Sequence, residues 1–237
     1  MLAGIVLAGG RSSRMGRPKA ALEWHGSTLL RRVTGLVGRA VDGPVFVVRA
    51  PGQDLPPLAT GVEVVDDALA DRGPLQGLAA GLAALEGRAD AAYVSATDVP
   101  FLHPDFVRAV VAALDVDADA AVPHADGRPQ PLAAAYRLTV RPVVERRLAA
   151  GRRDLMSLLA ELRVRRLDDF PHPESLRNLN DPGAYAAARS QPPPLVYVNN
   201  SPVRAATLGQ VDAAADDPEL PLADGDRIIL SPGYGAP

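Results

Sequence analysis

The chain has 237 residues, 47% of them hydrophobic and 22% charged, enough for one domain of ordinary size with a buried core and an appendage. Its net charge of −3 offers no basic footprint to a nucleic-acid polymer. With no cysteine in the sequence, disulfides, thiolate metal sites and a cysteine nucleophile are excluded.

Leu2 to Ala8 is a continuous apolar run closed by Gly9 and Gly10, the pattern of a parallel strand buried on both faces. It lacks a basic flank and a long apolar stretch, so it reads as a first strand and not as a signal peptide. No run reaches the ~18 apolar residues of a membrane span. A cytoplasmic protein without a membrane partner is expected. Ser27 to Val41 predicts a helix, Pro44 to Arg49 and Val62 to Val65 predict strands, and Leu75 to Leu85 predicts a second helix. A strand at Ala91 to Ala96 and a helix at Pro104 to Leu114 follow, then strands near Ala120 to Pro123 and Leu132 to Tyr136. Helices at Thr139 to Ala150 and Asp154 to Glu161, a strand at Val164 to Leu167 and a helix at Pro182 to Arg189 complete the series. This alternation predicts an α/β fold with helices flanking a mostly parallel sheet. Ligands of such sheets bind beyond the carboxyl ends of the strands, where the strand order reverses.

Gln191-Pro192-Pro193-Pro194 breaks the pattern and reads as a stiff linker over 191–194. It divides a domain over 1–190 from a small β-rich tail over 195–237. The tail has a strand at Leu195 to Asn199, an acidic middle, and a turn at Ala223-Asp224-Gly225-Asp226 feeding a second strand. About 43 residues is marginal for an independent core, so the tail is expected to dock on the main domain or on another subunit. It carries no evident catalytic constellation, and its expected role lies in solubility or association.

Of the 25 basic residues only Lys19 is a lysine, and it closes the stretch Leu7-Ala8-Gly9-Gly10-Arg11-Ser12-Ser13-Arg14-Met15-Gly16-Arg17-Pro18-Lys19. A compact ammonium and a planar guanidinium do different work, so Lys19 marks a task that the fork of an arginine cannot perform. The stretch is not a Walker A loop, which needs lysine directly after its last glycine, and it lacks the third glycine of the dinucleotide fingerprint. A Gly-Gly turn with amides facing an anion, surrounded by Arg11, Arg14, Arg17 and Lys19, suits a triphosphate. Arg14 is the first choice for a phosphate contact.

Ser95-Ala96-Thr97-Asp98-Val99-Pro100 follows a buried strand. A carboxylate there is costly unless paired or metal-bound, which makes Asp98 the natural ligand of Mg2+; it lies too far upstream to cap the next helix. Between Val65 and Gly77, Gly73 and Gly77 open space beside the sheet, and Asp67 can receive donors from a base or ribose. In Arg177-Asn178-Leu179-Asn180-Asp181-Pro182, Asn178 and Asn180 share a side if the stretch is extended. Asn180 either caps the following helix or ligates metal and phosphate; both remain open.

Together these segments resemble the molybdenum cofactor guanylyltransferase family of nucleotidyltransferases, in order over roughly residues 1 to 190. The signature loop is matched by Leu7-Ala8-Gly9-Gly10 through Arg14-Met15-Gly16 to Lys19, the Gly-Pro-Leu-x-Gly segment by Asp67 to Gly77, and Asp-x-Pro by Asp98-Val99-Pro100. Asp126-Gly127-Arg128-Pro129-Gln130-Pro131-Leu132 resembles the family's substrate-side turn, Ala150-Gly151-Arg152-Arg153 its helix-turn, and Asn178-Leu179-Asn180-Asp181-Pro182 its Asn-x-Asn-Thr-Pro. Asp181 stands in place of the usual threonine, and Thr97 in place of a small residue or cysteine. The resemblance implies a Rossmann-like sheet of the nucleotide-diphospho-sugar transferase type and transfer of GMP from Mg-GTP to molybdopterin-bound molybdenum, with pyrophosphate released. It further implies that Gly9, Gly10, Arg14 and Lys19 hold the triphosphate, that Asp98 holds Mg2+, that Asp67 helps hold the nucleoside, and that Leu7, Ala8, Gly73 and Asn180 complete the GTP site. Molybdoenzymes and cofactor-handling proteins are the macromolecular partners it suggests. The rivals are a cytidylyltransferase acting on molybdopterin or on another phosphate acceptor, another nucleotidyltransferase with a different phosphate acceptor, and a non-catalytic nucleotide-binding scaffold. The tail resembles part of a ubiquitin-like sulfur carrier in Val196-Tyr197-Val198-Asn199-Asn200 and Pro221 to Arg227, but ends Gly233-Tyr234-Gly235-Ala236-Pro237 where such carriers end in a diglycine.

Overall fold

A computed structural model describes residues 1–9, 18–67 and 73–230. The first apolar run forms β1 (Leu2–Leu7), with Ala3 and Ile5 buried in one core and Val6 in the other. Burial on alternate faces is what a sheet covered by helices on both sides requires. After a turn at Lys19–Ala21, β2 (Glu23–Trp24) and β3 (Ser27–Thr28) pair as a hairpin around His25 and Gly26, both at positive φ. The helix expected from Ser27 thus starts two residues later, as α1 (Leu29–Gly38). The Thr28 hydroxyl accepts the Arg31 amide at 3.2 Å and fixes the start.

The chain continues through β4 (Val45–Arg49), β5 (Val62–Asp66), α2 (Pro74–Ala84), β6 (Ala91–Ala96) and α3 (Pro104–Ala112). Then come β7 (Ala120–Ala125), β8 (Arg128–Pro129), β9 (Ala133–Arg137), α4 (Arg141–Ala149), α5 (Leu155–Leu159), β10 (Val164–Leu167) and α6 (Pro182–Arg189). The sheet order is β10-β7-β9-β6-β1-β4-β5, with β8 paired to β7. Along this path only β9 runs antiparallel, wedged between β6 and β7. Helices α2, α4 and α5 cover one face through Leu75, Leu78, Leu82, Val144 and Leu158; α1 and α3 cover the other through Leu30, Val33, Val37, Phe106 and Val110. The strand order reverses beside β1, between the crossover to β4 and the one to β6, and the crevice above that point is where such folds bind ligands.

Close approach of α2 to β1 depends on Gly81, where a Cβ would lie 2.8 Å from two carbons of Ile5. Gly81→Ala is expected to destabilise the protein by about 1 kcal/mol net, overpacking outweighing the gain in helix propensity. A lower thermal midpoint with an unchanged circular dichroism spectrum would show this.

Residues 195–230 form a second, three-stranded sheet. Strands β11 (Leu195–Val198) and β12 (Ser201–Arg204) make an antiparallel hairpin, and β13 (Arg227–Ile228) joins parallel to β11, giving the order β12-β11-β13. Its own core is small, centred on Val196, Ala205 and Leu222. The unit gains the rest of its burial by docking on α1. Arg39 forks onto Asp226 at 2.6 and 2.7 Å, Arg31 meets Asp217 at 2.5 Å, and Ala223 enters the core beneath α1 and α3. Gly35 leaves room for the Pro221 ring, whose carbons would stand 2.5 and 2.6 Å from a Cβ at that position.

Candidate active site

The carboxyl ends of β1 and β6 open into a groove of about 860 Å³. Leu7, Ala8, Gly9, Lys19, Asp67, Gly73, Asp98 and Asn180 all line it, so every candidate site residue within the described part of the chain faces one space. Gly10 and Arg14 lie outside the described residues.

The centre of the site joins three distant parts of the chain. Lys19 Nζ donates to Asp98 Oδ2 at 2.6 Å and to Asn180 Oδ1 at 3.1 Å. The side chains of Lys19 and Asp98 are 24% and 14% exposed, so the pair is reachable from the groove yet shielded enough for its charges to act strongly. Asp98 is held by its own backbone, whose carbonyl accepts the Leu179 amide at 2.9 Å. That bond aligns the 178–180 segment alongside the end of β6. The following helix α6 is capped by Asp181, which accepts the Ala184 amide at 2.8 Å. Of the two roles open to Asn180, capping therefore falls to its neighbour, and Asn180 turns to Lys19. Asp181 does here what a threonine would do.

The turn after β1 is fixed from two sides. Thr97 Oγ1 donates to the Leu7 carbonyl at 2.8 Å, and Gln53 Nε2 donates to the Ala8 carbonyl at 3.0 Å. Gly9 runs so near the next loop that a Cβ there would be 3.2 Å from the Ala50 nitrogen. Gln53 was not legible as a site residue: a lone glutamine in a loop carries no pattern. On the opposite wall, Gly73 adopts φ 83° and leads into α2 with Pro74 at the first helical turn and no side-chain cap among the described residues, and Gly73, Pro74 and Gly77 bring the positive end of the helix to the groove.

The far wall is built by Gln130, Pro131, Arg153, Asp154, Leu155 and Met156. Behind it Arg147, 2% exposed, binds Glu161 and the Ser157 hydroxyl, while Asp154 caps α5 by accepting the Ser157 amide at 2.7 Å. Hydrogen bonding to Ser157 holds the Asp154 carboxyl below its usual range. Glu161 is likewise held low, first by its hydrogen bond from Arg146 and then by Arg147.

Asp98 and Asn180 present oxygen atoms to one cation position, which in this structure is taken by the Lys19 ammonium. Two hard oxygen donors with a single carboxylate suit Mg2+, which retains several waters and takes substrate oxygens for the rest. Among the described residues, the one group of three histidine or carboxylate side chains close enough to share an ion is His103, Asp105 and His172. His103 is already engaged at both nitrogens, Nδ1 accepting the Asp105 amide at 3.1 Å and Nε2 lying 3.0 Å from the Asp224 carbonyl.

Residues 4–167 match the MobA-like NTP transferase domain. The chain belongs to that family. It is a nucleotidyltransferase. A relative from Mycobacterium marinum, named a probable molybdenum cofactor guanylyltransferase, is 45% identical over 161 residues, covering 66% of this chain and 78% of the relative. Another of the same name, from Mycobacterium avium, is 38% identical over 196 residues, covering 80% and 97%. In fold, the chain is similar to molybdopterin-guanine dinucleotide biosynthesis protein A from Archaeoglobus fulgidus, with a TM-score of 0.62 at 23% identity over 80% of this chain and 97% of that one. The family body accounts for the main sheet from β1 to β10. No helix among the described residues is long and apolar enough to cross a membrane.

Proposed function

We propose that this enzyme transfers GMP from Mg-GTP to the terminal phosphate of a molybdopterin-type molybdenum cofactor and releases pyrophosphate. The observation that carries the reading is the convergence of Lys19, Asp98 and Asn180 in the groove at the ends of β1 and β6. The names of the mycobacterial relatives support the choice of base and acceptor. An oxygen of the acceptor phosphate attacks the α-phosphorus as the bond to the leaving pyrophosphate breaks. The acceptor is already an anion and needs no strong base, so catalysis rests on positioning and charge neutralisation. The Gly9 turn and the start of α2 receive phosphate oxygens, with Gly10 and Arg14 assigned to the same task from the sequence. Lys19 would turn from its place between Asp98 and Asn180 to neutralise charge on the triphosphate, leaving those two oxygens as the ones that would hold the metal, and Asp67 and Gly73 would border the nucleoside. Bound Mg2+ would supply further charge neutralisation at the phosphoryl group in transfer. The compartment consistent with this reading is the cytoplasm.

The test is a matrix of nucleoside triphosphates against phosphate acceptors, reading pyrophosphate release and the mass of the product. GTP is expected to be preferred over CTP by at least ~10-fold, which needs about 1.4 kcal/mol of differential binding. A preference for CTP moves the assignment to cytidylyl transfer. Nucleotide binding without pyrophosphate release under any pairing leaves a scaffold.

A further inference from the structure

We propose that the C-terminal unit is a brace for the loop that carries Asp98, with Arg32 as the positioning residue between them. The inference rests on the nucleotidyl-transfer reading of the groove. Arg32 projects from α1 and is 5% exposed. Its Nε donates to the Pro100 carbonyl at 2.6 Å, two residues beyond Asp98, and its Nη1 donates to the Leu222 carbonyl at 3.2 Å. Among the described residues no carboxylate forms an ion pair with it. Burial, and then the charge of Arg39, push its guanidinium down to about 10 against the opposing charge of Asp226, as expected of a cation whose hydrogen-bond partners are neutral carbonyls.

A buried cation tolerates the loss of an acceptor poorly. If Leu222 withdraws, Arg32 has to turn toward the opened seam, and Pro100 loses its donor. A second tie acts three residues further on: the His103 ring caps α3 through Nδ1 and contacts the Asp224 carbonyl through Nε2. The segment from Asp98 to His103 is thus gripped at two points by residues 222–224. Those residues are themselves pinned to α1 by the Arg39–Asp226 fork and by Pro221 lying on Gly35. Because displacement of a catalytic group by about 1 Å can cost 10²-fold in rate, loosening this grip is read in turnover more than in nucleotide affinity.

Two substitutions in the full chain loosen it at a distance from the groove. Gly35→Ala drives a methyl group into Pro221 while favouring α1 itself, and Asp226→Ala removes the fork. Each is expected to lower kcat by about 10-fold with GTP affinity, measured by titration, within about twofold of the unaltered protein. Pro221→Ala removes the ring carbons that a methyl at position 35 meets, so G35A/P221A is expected to regain kcat to within about twofold. The brace is overturned if both single variants keep wild-type kcat, or if the loss in G35A is not restored by P221A. Absence of pyrophosphate release by the unaltered protein with every triphosphate removes the transfer reading itself, and the brace with it.

Discussion

Lys19→Ala and Asp98→Ala are each expected to lower turnover by at least ~100-fold, the scale on which a charge partner of the transition state acts. The two side chains are 2.6 Å apart, so their effects are not independent. Removing either breaks the same ion pair, and the double variant is expected to lose much less than the product of the two single losses. Lys19→Arg tests the choice of an ammonium. The compact ammonium sits beside Asp98 and Asn180, and a planar fork needs more room there, and on the triphosphate next to a metal, than a single nitrogen does. Lys19→Arg is therefore expected to stay near the alanine variant in rate. Rates within threefold of the native enzyme for either alanine variant, measured by pyrophosphate release with circular dichroism to verify folding, would remove this site from the chemistry.

Arg147→Ala is expected to lower the free energy of unfolding by about 3 kcal/mol. Arg147 is 2% exposed while Glu161 is 33% exposed, so after truncation the carboxylate can be solvated and the loss lies at the low end for a broken buried pair. For a chain of this size that is roughly 6–12 °C in thermal midpoint. The gap has a pH dependence of definite sign. The Glu161 and Asp154 carboxyls are held low in the folded state chiefly by Arg146 and Ser157 and in smaller part by Arg147, so Arg147's share of the stabilisation is fully present above the unfolded carboxylate range, near 4, and is lost as pH falls through the folded values. A difference between native and variant midpoints that grows on acidification would contradict this origin.

Much of the candidate site was legible because its residues sit where buried strands end. Asp98 after Ala91–Ala96 and Gly9 after Leu2–Leu7 needed only an apolar run followed by a polar or flexible residue. Asn180 was half legible: its residue type suited two tasks, and only the neighbouring Asp181 taking the cap separates them. Gln53 and Arg147 were not legible, since each acts through a partner far away in sequence, and distance in sequence has no periodicity. The strands were visible as short apolar segments, but the insertion of β9 between β6 and β7 was not, because an antiparallel strand shows the same run of alanines either way. The tail was expected to dock somewhere. That its seam lies on Arg31, Arg32 and Arg39 could not be read from a helix whose arginines look like an exposed polar face.

The place of β9 also sets an order of assembly as the chain leaves the ribosome. Strands β1, β4, β5 and β6 can pair as soon as they emerge, but β7 is made before the strand that connects it to β6. Until Ala133–Arg137 appears, β6 has an open edge and β7 waits without its neighbour, the condition in which nascent sheets find wrong partners. Lys19 waits longer still. Its contact with Asn180 spans 161 residues, so at about 5–20 residues per second the ammonium is synthesised roughly 8–32 s before its last ligand. Chains interrupted between the end of β6 and the start of β9 should be the ones that aggregate.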